Sequence, residues 1–572
     1  MEQLIQSMNK LTINSNYVFI GDTDHRQLPV QTNQFALEAH KKTVLFSMAK
    51  HLFTHEVEQV LSLRRPDPND INLVYSDFFA GDIPPHSIEK DDIYYQALNH
   101  VTDLFCPPQP VRPTHIFDVR YHYPHERSSN AEAPFSTEKF FRDKAPRPPP
   151  GTKINLFSVG NMYDVIFDWT RHFHHKIKQG ANYHDYLWYI QLHNRTSLVG
   201  PSDPDKIRSV SGFPRPQNIA WIMFLWPYLS WLKTRDPRTS PMLWNFETNL
   251  GGWFRLNYLL YTGFHARTII TLDKSKFDKF YFFAIQDDID NMIENFLDLN
   301  HGYIPTTDYP DTSKDWTLNK AKRLRRLLHW LYYSFRACPT VTPHGQMFRR
   351  RFAGMPSGVF PVQLFDTIYF AITDTDVLLR MGISPAQIRL RKGQGDDIIT
   401  QLYICIPPNA HDSFLSTYSR IDNERFGSTI SVTKSEMRNS PQGAHVLGYR
   451  NKNGLPVRDT VDLIGSLYHA KARQINESIS MSIAVGIAHA SLMHDKRVYA
   501  ICKDVYYYYA NQGFTMNQNW LRRFYAYTGI SLSHVTDFPT PDEICNKLFD
   551  FSFEPRKQTV DYFPRSHFLS EF

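Results

Sequence analysis

The chain has 572 residues, 42% hydrophobic and 21% charged, a balance that excludes wholesale disorder and supplies more than one core. Its net charge of +6 excludes a histone-like basic arm and fits either an enzyme with one basic channel or an ordinary, mildly basic surface. The five cysteines, Cys106, Cys338, Cys405, Cys502 and Cys545, are far apart and form no CxxC pair, which excludes a zinc ribbon or disulfide framework and suits a reducing compartment.

The N-terminal Met1–Lys10 lacks the apolar core of a signal sequence. The first hundred residues carry no motif: His55-Glu56 begins a zincin pattern, but Gln59 stands where the second histidine belongs. Cys106–Pro113 and Ala145–Gly151 are proline-rich and read as linkers or as extended straps across a domain surface. From about Leu156 to Leu192 the pattern is helical, with FDWTRHFHHKIKQG closing on Gly180. Asp205–Gly212 alternates basic and apolar residues; as a strand it puts Lys206 and Arg208 on one face. Ile219–Leu232 is the most apolar stretch. It is short for a bilayer and interrupted by Pro227, so a buried helix is expected and no membrane association.

In ARTIITLDKSKFD a β-branched run stops at an acid, which places Asp273 at an exposed strand end with Asp278 five residues on. Trp316–Arg336 reads as a basic amphipathic helix, whose charges suit a solvated surface and a nucleic-acid contact equally. Gly354-Met355-Pro356-Ser357-Gly358 reads as a loop running into a helix that carries Gln363 and Asp366. RLRKGQGDDIITQLYICI reads as strand, glycine turn, strand. Thr433-Lys434-Ser435-Glu436 and a hairpin entry, Val446-Leu447-Gly448-Tyr449, follow. The last hundred residues return to helices, such as ESISMSIAVGIAHASLM and NWLRRFYAYTG.

Asp396 and Asp397 in GQGDD are adjacent carboxylates at a hairpin tip, an arrangement that a bound divalent cation stabilises. An Asp-Asp pair beside glycine is also a common solvent-exposed turn, and on turn statistics both readings stay open. Asp273 at a second strand end would complete a set of hard oxygen ligands able to hold two Mg²⁺ about 4 Å apart. Alone, Asp273 reads better as a strand-end cap. Lys206 and Arg208 suit a triphosphate, and the 354–358 loop offers backbone N–H groups to phosphate or template. The order of these motifs between 206 and 449 is more specific than any one of them.

In that order they resemble the RNA-dependent RNA polymerases of partitiviruses and their relatives, with picobirnaviruses more distant. The resemblance covers about residues 115–475. It extends to Asp118-Val119-Arg120-Tyr121, Asn130–Phe135, the runs His175–Lys178 and His193–Arg195, and Gly448 with Gly454, Pro456 and Arg458. It implies an α+β right-hand fold with fingers, palm and thumb, the palm an antiparallel sheet with helices on one face and the thumb helical. The implied division is an N-terminal extension (1–150), fingers (151–262), palm (263–295), a fingers insertion (296–352), palm again (353–460) and thumb with C-terminal region (461–572).

By position, the resemblance makes Asp273, Asp396 and Asp397 metal ligands for two Mg²⁺, with Mn²⁺ a substitute, and Lys434 a proton donor to pyrophosphate. It gives Lys206 and Arg208 the triphosphate, Ser357 and Gly358 the nascent base pair, Asp278 and Asp366 the ribose 2′-hydroxyl, and Leu447, Gly448 and Tyr449 the primer or product strand. Expected partners are template and product RNA, nucleoside triphosphates and a viral capsid protein, in the virion interior or host cytoplasm, where the enzyme would replicate and transcribe a double-stranded RNA genome. Val362 departs from the family's usual threonine, whereas Asp366 matches the partitivirus-like pattern. A reverse transcriptase and a non-catalytic RNA-binding protein of the virion are the alternatives. Gly395 before the paired acids disfavours the first, and three converging acids disfavour the second.

Overall fold

The computed structural model describes residues 15–27, 29–148, 155–261, 267–431, 434–471, 475–521, 536–546, 548–549, 551–552 and 568. β1 (Tyr17–Asp22) leads into a run of helices that ends with Tyr163–Gln179. β2 (Ile190–Thr196) and β3 (Ile207–Gly212) precede helices Arg215–Thr234 and Gly252–Tyr261. β4 (Ile269–Leu272), β5 (Lys274–Ser275) and helices Phe283–Phe296 and Leu318–Ala337 follow. Next come β6 (Thr340–Val341), β7 (Gln346–Arg350), helix Val362–Arg380, β8 (Ile388–Gln394) and β9 (Asp397–Leu402). Helix His411–Phe426 then leads to β10 (Thr429–Ile430), β11 (Glu436–Arg438), β12 (His445–Val446), β13 (Tyr449–Lys452) and β14 (Leu455–Val457). Helices Thr460–Tyr468, Glu477–Ser491, Lys496–Ala510 and Pro541–Cys545 complete the described chain.

The architecture is mixed α+β, as expected. A four-stranded antiparallel sheet in the order β11-β4-β9-β8 occupies the middle. A five-stranded sheet, β1-β7-β6-β2-β3, draws its strands from widely separated parts of the chain. β10 pairs with β5, and β12-β13-β14 form a small meander. The principal core gathers Trp221, Trp226 and Trp330 with helix Val362–Arg380 and the inner face of the middle sheet. A second core joins helices 34–51 and 54–62 to helices 460–468, 477–491 and 496–510. The motif-free N-terminal segment is thus divided between the two cores.

Helix Arg215–Thr234 is buried from Pro216 to Leu232 and runs through Pro227 without a break. Proline at 227 removes the N–H that would bond the Met223 carbonyl, and Thr114 N–H takes that carbonyl at 2.7 Å. Thr114 follows the first proline-rich stretch, which is a strap: Val111 pairs with Leu297, and Pro113 O accepts from Ile304 N–H at 2.8 Å. Among the described residues no helix is long and apolar enough to cross a membrane.

The helical expectation over Leu156–Leu192 holds only for Tyr163–Gln179, where Gly180 caps the helix at φ 101°. Beyond it, Ile190–Thr196 is a strand, because pairing with β3 and β6 buries its apolar residues in a sheet that no local period reveals. Trp316–Arg336 is helical as Leu318–Ala337. Met1–Lys10, Thr433, the end of Ala145–Gly151 and most of NWLRRFYAYTG lie outside the described residues.

β5 is tied to helix His411–Phe426 by a fully buried ion pair: Lys274 Nζ lies 2.8 Å from Asp422 Oδ1 and donates to Thr373 Oγ1 at 3.1 Å. Ser428 Oγ donates to the other carboxylate oxygen. Removing one partner strands the other charge in the core, at about 3–5 kcal/mol. Asp422→Ala should therefore lower the melting temperature sharply, and Lys274→Met with Asp422→Leu should recover most of the loss; calorimetry of the three proteins checks this.

Candidate active site

In the β4–β9 ladder Leu272 faces Ile398, so one further step sets Asp273 across from Asp397. In the β8–β9 hairpin Gln394 faces Asp397, leaving Gly395 and Asp396 as a two-residue turn. Gly395 has φ +73°, the positive value that a type II′ connection needs at its first position. Register and turn together bring Asp273, Asp396 and Asp397 to one end of the middle sheet, all three exposed.

Their electrostatics link further groups to this point. The Asp396 carboxyl is raised above its ordinary value by partial burial, with Asp273 and Asp278 adding to the rise and Arg208 opposing it. Asp397 is pushed up to about 6 by partial burial, then by Asp396 and Asp273, while a hydrogen bond from the Leu447 backbone and the charge of Arg208 pull it down. Both side chains have an open side on solvent but are flanked by enough protein to be partly desolvated. Asp366, on helix Val362–Arg380, is raised well above the carboxylate range by burial, Asp396 and Asp278. Although the residue is half-buried overall, its Oδ1 is enclosed with no hydrogen-bond partner among the described residues.

Backbone contacts hold the strand ends and turn that carry the acids. Asp273 N–H donates to Ser435 Oγ at 3.1 Å, and Asp273 O accepts from Ser431 N–H at 2.7 Å. Gly395 N–H donates to Thr367 Oγ1 at 2.9 Å, and that hydroxyl donates to Gln363 O at 2.7 Å. A Cβ on Gly393 would lie 2.8 Å from Thr367 Cγ2, so the hairpin rests directly on helix Val362–Arg380.

The 354–358 loop is knitted to two neighbours. Met355 N–H donates to Asp278 O, and Gly354 N–H to Tyr281 O, both at 2.8 Å. Ser357 Oγ accepts from Ser211 N–H of β3 at 2.9 Å, and a Cβ on Gly358 would lie 1.8 Å from Ser211 O. The Asp278 carboxylate lies 3.1 Å from Lys279 Nζ, which also approaches Asp77 at 3.7 Å.

Arg208 faces Arg195 across the β2–β3 ladder. Directly opposed residues share a face, as do Val210 and His193 two positions along. A cavity of about 840 Å³ opens on that face, lined by Lys41, Arg65, His193, Arg195 and Val210 among others. Lys206 is exposed one residue before β3, and its carbonyl accepts from Ser197 N–H. Lys434 is exposed, with its N–H donating to Ser431 O. Leu447 and Gly448 connect β12 to β13 with φ 54° and 76°, both positive as in a type I′ turn, and Tyr449 donates its hydroxyl to Ala490 O.

The fold thus gathers Asp273, Asp278, Asp366, Asp396, Asp397, Arg208 and the Leu447 backbone. Ser357 and Gly358 lie against β3. No described interaction ties Lys206, Lys434, Gly448 or Tyr449 to the acids. Thr367, Ser435 and Lys279 were not singled out in the sequence; Ser435 adjoins Lys434, whereas nothing local marks Thr367. Among the described residues no three His, Cys, Asp or Glu side chains close into a ready-made metal cage. The donor set nevertheless fits a hard divalent cation that keeps part of its water shell: every donor is oxygen, neighbouring carboxylates raise the proton affinity of Asp396 and Asp397, and Asp366 Oδ1 has no partner among the described residues.

No protein-family profile matches the chain. It is 34% identical to the RNA-directed RNA polymerase of White clover cryptic virus 1, over 100% of this chain and 99% of that protein. It is 25% identical to the RNA-directed RNA polymerase of Atkinsonella hypoxylon virus, over 56% of this chain and 51% of that one. The chain belongs to the viral RNA-directed RNA polymerases, in the partitivirus group of double-stranded RNA viruses. It is an enzyme, and its reaction is RNA-templated nucleotidyl transfer.

The Thr367 hydroxyl gives a direct test of how the acid-bearing hairpin is held. Thr367→Val keeps the shape but leaves the buried Gly395 N–H unpaired, a cost of about 1–3 kcal/mol. Nucleotide incorporation should fall at least tenfold while Thr367→Ser stays near wild type, as measured with radiolabelled nucleotide on a homopolymer template.

Proposed function

We propose that the chain is a right-hand polymerase in which the β11-β4-β9-β8 sheet with helix Val362–Arg380 is the palm, and that its acids support two-metal nucleotidyl transfer. The observation that carries this reading is the register that sets Asp273 across from Asp397 beside the Gly395-Asp396 turn. The strands and helices between 151 and 262 and between 296 and 352 would form fingers, and the helices after 460 the thumb.

Asp273, Asp396 and Asp397 would hold two Mg²⁺, or Mn²⁺ in its place; bound, the ions acidify the attacking 3′-hydroxyl and offset triphosphate charge. Arg208, with Lys206 beside it on the chain, binds the incoming triphosphate by charge-assisted hydrogen bonds. Asp278 and Asp366 accept from the ribose 2′-hydroxyl, directly or through water. Ser357 and Gly358 touch the nascent base pair; Ser357 Oγ accepts from β3 and keeps its own O–H to donate. Lys434 gives a proton to departing pyrophosphate, and Leu447–Tyr449 supports the primer strand. The enzyme replicates and transcribes a double-stranded RNA genome with a capsid protein as partner, in the virion or the host cytoplasm.

Asp396→Asn replaces an anionic ligand with a neutral amide and should abolish incorporation without loss of folding, read by thermal melting beside activity. Near-wild-type activity would sink the metal assignment. Arg208→Ala removes a contact worth roughly 1.5–3 kcal/mol and should raise the KM for nucleotide ten- to a hundredfold. Lys206→Ala, whose side chain is not tied to the acids, should raise it less. Asp366→Ala and Asp278→Ala should narrow the preference for ribo- over deoxyribonucleotides in a competition assay, because the hydroxyl then finds no acceptor. An unchanged ratio in both would remove these residues from the sugar pocket.

A further inference from the structure

Helix Leu318–Ala337 carries Lys320, Lys322, Arg323, Arg325, Arg326 and Arg336 and no acid: six positive charges in one element of a chain whose net charge is +6. Its apolar side, including Leu324, Leu327, Trp330, Leu331 and Phe335, is buried in the principal core. On one flank helix Phe283–Phe296 neutralises the charge. Arg336 pairs with Asp287 and Asp290, and Arg325 and His329 reach Glu294 at 2.9 and 3.0 Å. On the other flank nothing does so: among the described residues Lys322, Arg323 and Arg326 enter no ion pair. The helix packs chiefly on helices Tyr163–Gln179 and Arg215–Thr234 rather than on the sheet that carries the acids.

The unneutralised side is also ordered. Along its edge Lys322, Arg326, His329 and Tyr333 follow at steps of four, three and four residues, all four exposed; His329 is the member shared with the neutralised flank, through Glu294. That spacing makes one continuous stripe along the helix. Arg326 lies over the end of helix Tyr163–Gln179, where a Cβ on Gly180 would come within 3.3 Å of its Nη1. Tyr183 donates its hydroxyl to Arg326 O at 2.8 Å, and its ring stands 6.0 Å from that of Tyr333. The cations therefore flank a fixed aromatic pair.

We propose that this stripe is a second RNA-binding surface, which holds single-stranded RNA by its phosphates outside the catalytic centre. Cations on successive helical turns, about 5.4 Å apart, make a line that a phosphodiester backbone can follow. The exposed ring of Tyr333 offers a face for base stacking, which an acidic protein partner would not use. An RNA polymerase handles strands longer than its active site holds, so a surface of this kind would retain the strand through many additions.

The test uses the full chain with Lys322, Arg323 and Arg326 all changed to alanine, and a milder Lys322→Gln, Arg326→Gln protein as a guard against misfolding. Binding of a single-stranded RNA of about 40 nucleotides is followed by fluorescence anisotropy across a salt series, beside thermal melting and kcat on a short, saturating primer–template. Three phosphate contacts predict a salt slope smaller by about 2 and binding about a hundredfold weaker near 0.1 M salt, with melting and kcat unchanged. The glutamine variant should show an intermediate loss. Affinity and slope within twofold of wild type in both variants would overturn the proposal. A parallel fall in kcat would overturn it by placing the residues at the catalytic centre, and loss of binding to polyglutamate with RNA binding intact would do so by naming an acidic protein as occupant.

Discussion

Like charges held together are the constraint on which this molecule is built. Burial and the carboxylates around them, Asp273 and Asp278 included, raise the proton affinity of Asp366, Asp396 and Asp397, and left alone these like charges would separate. What chiefly prevents this is not pairing of the carboxylates, although Lys279 Nζ stands 3.1 Å from Asp278. It is a set of backbone bonds made by neighbours: Ser435 and Ser431 on either side of Asp273, Thr367 beneath the Gly395 turn, and Met355 on the carbonyl of Asp278. The acids stay close while Asp273, Asp396 and Asp397 remain exposed to an arriving cation. This is the pattern of a site whose geometry is set before its ligand arrives.

The scaffold around the acids repeats the same economy. β4 and β5 lie on either side of Asp273 and pair with β11 and β10, so the residue is gripped by two separate ladders. The buried Lys274–Asp422 pair then fixes β5 to helix His411–Phe426. Further out, Arg65 donates to His469 O and Thr196 O, joining the end of β2 to the C-terminal helices. The N-terminal segment therefore connects the strand pair that carries Arg208 to the second core, although it contains no recognisable motif.

Legibility differed from element to element for physical reasons. The β8–β9 hairpin, the 354–358 loop with its helix, and Gly180 as a helix stop were readable because glycine turns and caps act over a few residues. Helix Arg215–Thr234 was readable as buried, yet its continuity through Pro227 was not, since the compensating donor, Thr114, is more than a hundred residues away. β2 was hidden inside a helical pattern because its partners, β3 and β6, come later in the chain. Ser357 Oγ accepts from Ser211 N–H of β3, a contact across 146 positions that no local pattern encodes.

The sequence by itself determined the chemistry on offer: which acids and cations exist, their order along the chain, and the turns that expose them, all local properties. Tertiary structure alone decided which of them meet. It set Asp273 opposite Asp397, brought Arg208 into the field of the acids while leaving Lys206 and Lys434 untied to them, and enclosed Asp366 Oδ1 without a partner among the described residues. It also neutralised one side of the basic helix and, among the described residues, left Lys322, Arg323 and Arg326 without an ion pair. The reason is that strand register and helix packing are settled by burial over the whole chain: a one-residue slip sends a strand's side chains to the opposite face and turns a helix's by about 100°.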